Sequence, residues 1–166
     1  SWDTSLINDM SYLFYQQYKF NDYINNWNTS NVYCMDSMFE FAESFNQPLN
    51  NWDTSNVTLM SNMFPNCGEF NQPLNKWNTS NVIGMTSMFI MNGVVNPKFN
   101  QPLDNWDVSK VLHMKNMFYS CTQFNQPLNN WDVSNVTDMG SIFYSCSQFN
   151  QPLNNWNTSN ITNMSF

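Results

Sequence analysis

Residues 124–146 read FNQPLNNWDVSNVTDMGSIFYSC, and near copies of this stretch recur from one end of the chain to the other. Trp2, Trp27, Trp52, Trp77, Trp106, Trp131 and Trp156 mark the copies, separated by five intervals of 25 residues and one of 29. A fixed period in the range of about 20–50 residues is the signature of a solenoid, in which each unit buries its apolar face only against its neighbours. The 166 residues therefore read as a single array of about six and a half repeats.

Aligned by slot, one unit is Phe-x-x-Pro-Leu-x-x-Trp-(Asp/Asn)-(Val/Thr)-Ser-x-(Val/Ile)-x-x-Met-x-x-(Met/Ile)-Phe-x-x-(Cys)-x-x. FNQPL stands unchanged at 45–49, 70–74, 99–103, 124–128 and 149–153, while residues 20–24 carry the degenerate form FNDYI. Proline lacks an N–H, so each Pro is expected at a strand entry or corner. Two short extended pieces are expected per coil, one from Leu to Trp (128–131) and one at Val-x-x-Met (136–139). Between them Trp-(Asp/Asn)-x-Ser reads as a turn in which Asp53, Asn78, Asp107, Asp132 and Asn157 accept backbone hydrogen bonds. Met-x-x-Met-Phe-x-x-Cys, as in 114–121, spaces apolar residues at i, i+3, i+4 and i+7, which predicts one helical or 3-10 turn per coil. Stacking like over like would then run columns of Trp27, Trp52, Trp77, Trp106, Trp131 and Trp156, and of Phe39, Phe64, Phe89, Phe118 and Phe143, through the core.

Composition narrows the function classes. Charged residues are 10% of the chain and the net charge is −7, with five Lys and no Arg. A nucleic-acid partner needs a basic stripe to displace counterions from phosphates, and none exists. No apolar run approaches the roughly 20 residues that span a bilayer. The one histidine, His113, sits in an unconstrained slot with no partner in sequence, so no catalytic residue is expected and the chain reads as a non-enzyme. Asp and Asn alternate after Trp, so that column needs an acceptor rather than a charge; no metal or other cofactor is expected. Cys67, Cys121 and Cys146 share one slot without a CxxC pair, and they read as small buried hydrophobes, with a Cys121–Cys146 disulfide as the alternative. Seven Asn-x-Ser/Thr sequons, at Asn28, Asn56, Asn78, Asn135, Asn157, Asn160 and Asn163, fall in turn slots as a by-product of the repeat.

Symmetry breaks once. Residues 90–98, IMNGVVNPK, carry four residues more than the equivalent 65–69. Insertions in repeat arrays map to loops, often on a binding face. Ile90, Met91, Val94, Val95 and Pro97 are apolar where a loop is usually polar, so they are candidate partner contacts, against the alternative that they tuck back over the core.

The unit NQPLxxW(D/N)(V/T)SxVxxMxxMFxxC resembles the BspA-like leucine-rich-repeat surface proteins, in the 25-residue form found in mycoplasma surface lipoproteins, other bacterial surface proteins and giant viruses. The likeness covers the chain except residues 12–24, the insertion and the last two residues. It implies a right-handed, leucine-rich-repeat-like solenoid of α/β type and a role in adhesion or protein–protein interaction at the cell surface or outside the cell. The alternative is a structural protein of a virus particle or filament. The expected partner is a host surface protein, or a second copy stacked end to end. The chain starts in mid-repeat, and Phe166 falls in a small-residue slot; with no polar cap at either end, flanking repeats or head-to-tail stacking are expected.

Overall fold

The computed structural model describes residues 2–165; the sequence reading of Phe166 lies outside them. Successive repeats lie one on the next in parallel register. Isolated parallel bridges run Asp9–Cys34–Leu59–Gly84–His113–Asp138–Asn163, one residue per repeat. Every residue of this column occupies the same slot, two after the Val/Ile.

Beyond the bridge the backbone divides its hydrogen bonds between two directions. Met35, Ser37, Phe39 and Phe41 donate to the carbonyls of Leu59, Ser61, Met63 and Pro65 in the following repeat, at 2.9–3.0 Å. The residues between them turn inward: Met38 donates to Met35, Glu40 to Ser37 and Ala42 to Phe39. These are overlapping β-turns, and Ser37 (φ 55°) and Phe41 (φ 62°) take the left-handed conformation at their third positions. Asn62 and Asn66, Asn116 and Ser120, and Ser141 and Ser145 repeat the pattern.

The helical or 3-10 turn anticipated for Met-x-x-Met-Phe-x-x-Cys is therefore replaced by turns; among the described residues there is no helix. The reason is that half of the N–H groups a helix would use internally are committed to the next repeat. The Leu-to-Trp piece is also a turn instead of a strand, closed by Trp131 N–H donating to Leu128 O at 3.1 Å, with two Asn at its centre.

The core is a set of aromatic columns. Phe39, Phe64, Phe89 and Phe118 are fully buried, and each ring stacks on the next at 5.4–5.8 Å between centroids. Within each repeat the same ring meets the following Phe closely, as in Phe64–Phe70 at 4.3 Å. Trp52, Trp77, Trp106 and Trp131 are buried and stacked at 6.3–6.5 Å, in the offset range that aromatic pairs favour. Trp27, Trp156 and Phe143, nearer the ends, are half-buried. From Trp52 to Trp156 each indole N–H is satisfied across the stack: Trp77 donates to Leu49 O and Trp106 to Leu74 O, both at 3.0 Å.

The insertion leaves this core undisturbed. Phe89 and Phe99, on either side of it, lie 4.0 Å apart, like the uninterrupted Phe64–Phe70 pair.

Candidate functional site: the varied half of each repeat

Several polar residues of the first half of each repeat join one repeat to the next. Asn46 Oδ1 accepts from Asn71 N–H at 3.0 Å and from Gln72 Nε2 at 3.0 Å; Asn71 receives Asn100 and Gln101 in the same way. Thr54 Oγ1 donates to Asn78 O, and Asn81 Nδ2 donates to Ser55 O. The residue after Trp caps its own turn: Asp53, Asn78, Asp107, Asp132 and Asn157 each accept the N–H two residues on, at 3.0–3.2 Å. The Ser55, Ser109 and Ser134 hydroxyls, and then their N–H groups, hold the Asp53, Asp107 and Asp132 carboxyls below the ordinary carboxylate range. Asn and Asp both serve there because one side-chain oxygen is what the turn requires.

This explains why the first half barely changes, reading FNQPLNNWDTSNV, FNQPLNKWNTSNV, FNQPLDNWDVSKV and FNQPLNNWDVSNV in four successive repeats. The second half, by contrast, reads TLMSNMFPNCGE, IGMTSMFIMNGVVNPK, LHMKNMFYSCTQ and TDMGSIFYSCSQ. Its core slots persist, and its outward slots change from repeat to repeat. From residue 45 to 148 the exposed large apolar side chains are Ile83, Val95, Leu112 and Tyr144, all in that second half. Tyr33 (45% exposed), Ile83 (42%) and Leu112 (41%) share the slot that precedes the bridge column.

The other candidates fall as follows. His113 lies exposed in the bridge column, and its ring makes no hydrogen bond among the described residues. All four cysteines are free and buried. The thiols of Cys67, Cys121 and Cys146 donate to Phe39 O, Phe89 O and Phe118 O of the preceding repeat, at 2.7–2.9 Å. Burial pushes the Cys67 and Cys121 thiols up and that of Cys146 to about 12, so none is a nucleophile at neutral pH. Of the sequons, Asn56, Asn135 and Asn160 already use the amide nitrogen that would carry a glycan, donating to Ser30 O, Ser109 O and Ser134 O.

In the insertion, Met91 and Pro97 are buried, which removes them as direct partner contacts: Met91 fills the core at the edge of its repeat. Ile90 and Val94 are half-buried, and an ideal Cβ at Gly68 would stand 2.8 Å from Val94 Cγ1. Only Val95, at 84%, is open to solvent. The folded-back loop walls a pocket of about 450 Å³ over the two preceding repeats, which sequence reasoning missed because its other residues come from 41–44 and 66–69.

Two segments, 1–98 and 91–166, match the family described as "Mycoplasma protein of unknown function, DUF285". The chain belongs to that family. The two DUF285 matches overlap only at 91–98, so the seam between them falls in the insertion. No curated protein and no solved structure matches the chain. DUF285 kinship is compatible with a surface repeat module, and no helix of the described residues is long and apolar enough to cross a membrane.

Proposed function

We propose that the chain is a non-enzymatic protein-binding module, a leucine-rich-repeat-like, right-handed solenoid of the BspA-like kind. It is displayed at the cell surface or outside the cell, and the varied half of its repeats meets the partner. The observation that carries the reading is the division of labour within each repeat. The first-half side chains that bond across the stack are nearly invariant along the chain, while the second half, where fewer side chains do so (Thr58, Thr137 and Asp36 among them), varies and includes the exposed apolar side chains. Exposed apolar patches on one face mark interaction sites. A host surface protein is the partner class; nucleic acid is disfavoured by the −7 charge and the absence of Arg.

The test is binding to a panel of purified extracellular animal proteins by surface plasmon resonance. Tyr33→Ser, Ile83→Ser and Leu112→Ser, combined, are expected to weaken any interaction at least tenfold without lowering the thermal midpoint. Binding that survives the triple variant unchanged would overturn the reading.

A second reading, end-to-end self-association as in a viral or filament protein, has one specific support. Ile142, Phe143, Leu153, Trp156 and Met164 line an apolar pocket of about 420 Å³ at the last repeat. Further repeats of a longer chain would fill the same place. Sedimentation over a concentration series distinguishes them: growth with concentration favours stacking, and a constant monomer opposes it.

A further inference from the structure

Residues 92–97 are held more loosely than any repeat around them. Met91 N–H donates to Tyr119 O at 2.9 Å and Lys98 N–H to Gly68 O at 3.0 Å, which ties both ends of the segment to neighbouring repeats. Between those points there is a single backbone hydrogen bond, Val94 N–H to Met91 O at 3.4 Å. It closes a β-turn with Asn92 and Gly93 at its centre, and Gly93 takes φ 78°, the left-handed conformation that a type II turn requires at its third position. A turn closed by one long bond opens at little cost, which puts this segment at the low-stability end of the fold.

The sequence of that turn has its own chemistry. The chain is rich in asparagine, yet its four glycines, Gly68, Gly84, Gly93 and Gly140, follow Cys, Ile, Asn and Met, so Asn92-Gly93 is the one Asn-Gly pair. The asparagines of the repeat proper are fixed. Asn46, Asn71, Asn100 and Asn125 each accept two donors from the next repeat, and each is followed by Gln. Asn92 is exposed, and its side chain makes no hydrogen bond among the described residues. Gly93 N–H is equally free, and an ideal Cβ at Gly93 would meet nothing within 4 Å. With no side chain on Gly93 to obstruct it, the backbone nitrogen can approach the preceding amide carbon.

We propose that Asn92 is a self-modification site, converted without an enzyme to aspartate and isoaspartate. The Gly93 nitrogen attacks Asn92 Cγ, forming an N–Cγ bond that closes a succinimide ring. The Cγ–Nδ2 bond breaks, and the amide leaves as ammonia with the proton that Gly93 N–H gave up. Water then opens the ring. Attack at Cγ restores the ordinary backbone with an aspartate side chain, while attack at the Asn92 backbone carbonyl leaves the chain running through Cβ and Cγ as isoaspartate. Water is the only co-reactant, and nothing is oxidised or reduced. Either product places a carboxylate where a neutral amide stood, taking the net charge from −7 to −8. Asn92 and Gly93 line the same pocket as Glu43 and Glu69, so this part of the surface becomes more acidic as the protein ages. The chemistry is independent of what the varied half binds.

The experiment is incubation of the folded protein at neutral pH over weeks, beside a synthetic peptide of residues 88–96. Samples are digested at mildly acidic pH and mapped by mass spectrometry. Amide-to-acid conversion at Asn92 is expected at least tenfold faster than at any other asparagine, giving both aspartate and isoaspartate. Anion exchange of the intact protein should resolve a more acidic species that grows at the same rate. Asn92→Gln should abolish that species, because glutamine would have to close a larger ring. Gly93→Asn, which tolerates the left-handed backbone, should slow conversion at Asn92 at least tenfold while the thermal midpoint stays close to the parent's. Asn92 still intact in the folded protein when the peptide has converted would overturn the proposal. So would equal conversion at other asparagines, or a product that is aspartate alone, which direct hydrolysis of the amide would give.

Discussion

Asn71 shows how much one side chain does for the stack. Its Oδ1 receives two donors from the next repeat, Asn100 N–H and Gln101 Nε2, so Asn71→Ala leaves both without a partner. We expect a loss of about 1–3 kcal/mol in chemical unfolding. This role was not legible in the sequence. FNQPL was visible as a constant string, but the acceptor for each Gln lies a full repeat away, and only the path of the backbone brings it near. The Asp/Asn column was legible, because its bond is local: the acceptor serves an N–H two residues on. Asp36 makes a prediction of opposite sign to the turn-capping aspartates. Burial raises its carboxyl above the ordinary value, although it accepts Ser61 N–H at 2.7 Å. It therefore costs stability at neutral pH; that cost shrinks as pH falls through the raised folded value and is gone below the unfolded value of about 3.9. Asp36→Asn keeps an acceptor for Ser61, so its thermal midpoint should exceed the parent's at pH 7 and match it at pH 3.

Elements in this protein are turns, and the repeat period was easier to read than the local backbone. Apolar residues at i, i+3, i+4 and i+7 satisfy a helix, yet overlapping turns with a left-handed residue every fourth position also bring i and i+4 to one side. The sequence pattern alone cannot separate the two, because the deciding fact is where alternate N–H groups go. The insertion was legible as a break in symmetry, but not as a pocket wall. Its apolar residues divide between pinning the loop (Met91, Pro97, with Val94 against Gly68) and the one exposed side chain, Val95. Since Phe89 and Phe99 keep the ordinary 4.0 Å contact, replacing residues 90–98 by the Tyr-Ser-Cys-Thr-Gln of 119–123 should leave a folded chain. Circular dichroism and the thermal midpoint should stay close to the parent's.

For the whole molecule, contacts run mainly from each repeat to the next, so stability should be a sum of neighbour terms that is weakest at the ends. The cysteines report this directly. All four are buried in the native chain, but Cys146 sits near the last repeat, and Cys67 and Cys121 lie deeper. In rising denaturant, alkylation is expected at Cys146 before Cys67 and Cys121; simultaneous labelling of all three would indicate one cooperative unit. Phe89→Ala, in the middle of the aromatic column, should cost about 3–5 kcal/mol and merge those steps.

The most direct test of the division between a half fixed by side-chain bonds across the stack and a varied half with fewer of them needs no partner. It is an alanine scan of residues 99–123, with unfolding free energies measured by pulse proteolysis. Asn100, Gln101 and Trp106 should each cost more than about 1 kcal/mol, while Leu112, His113 and Lys115 stay within about 0.5 kcal/mol of the parent. Equal losses in the two halves would contradict the account, since the varied residues would then be part of what holds the repeats together.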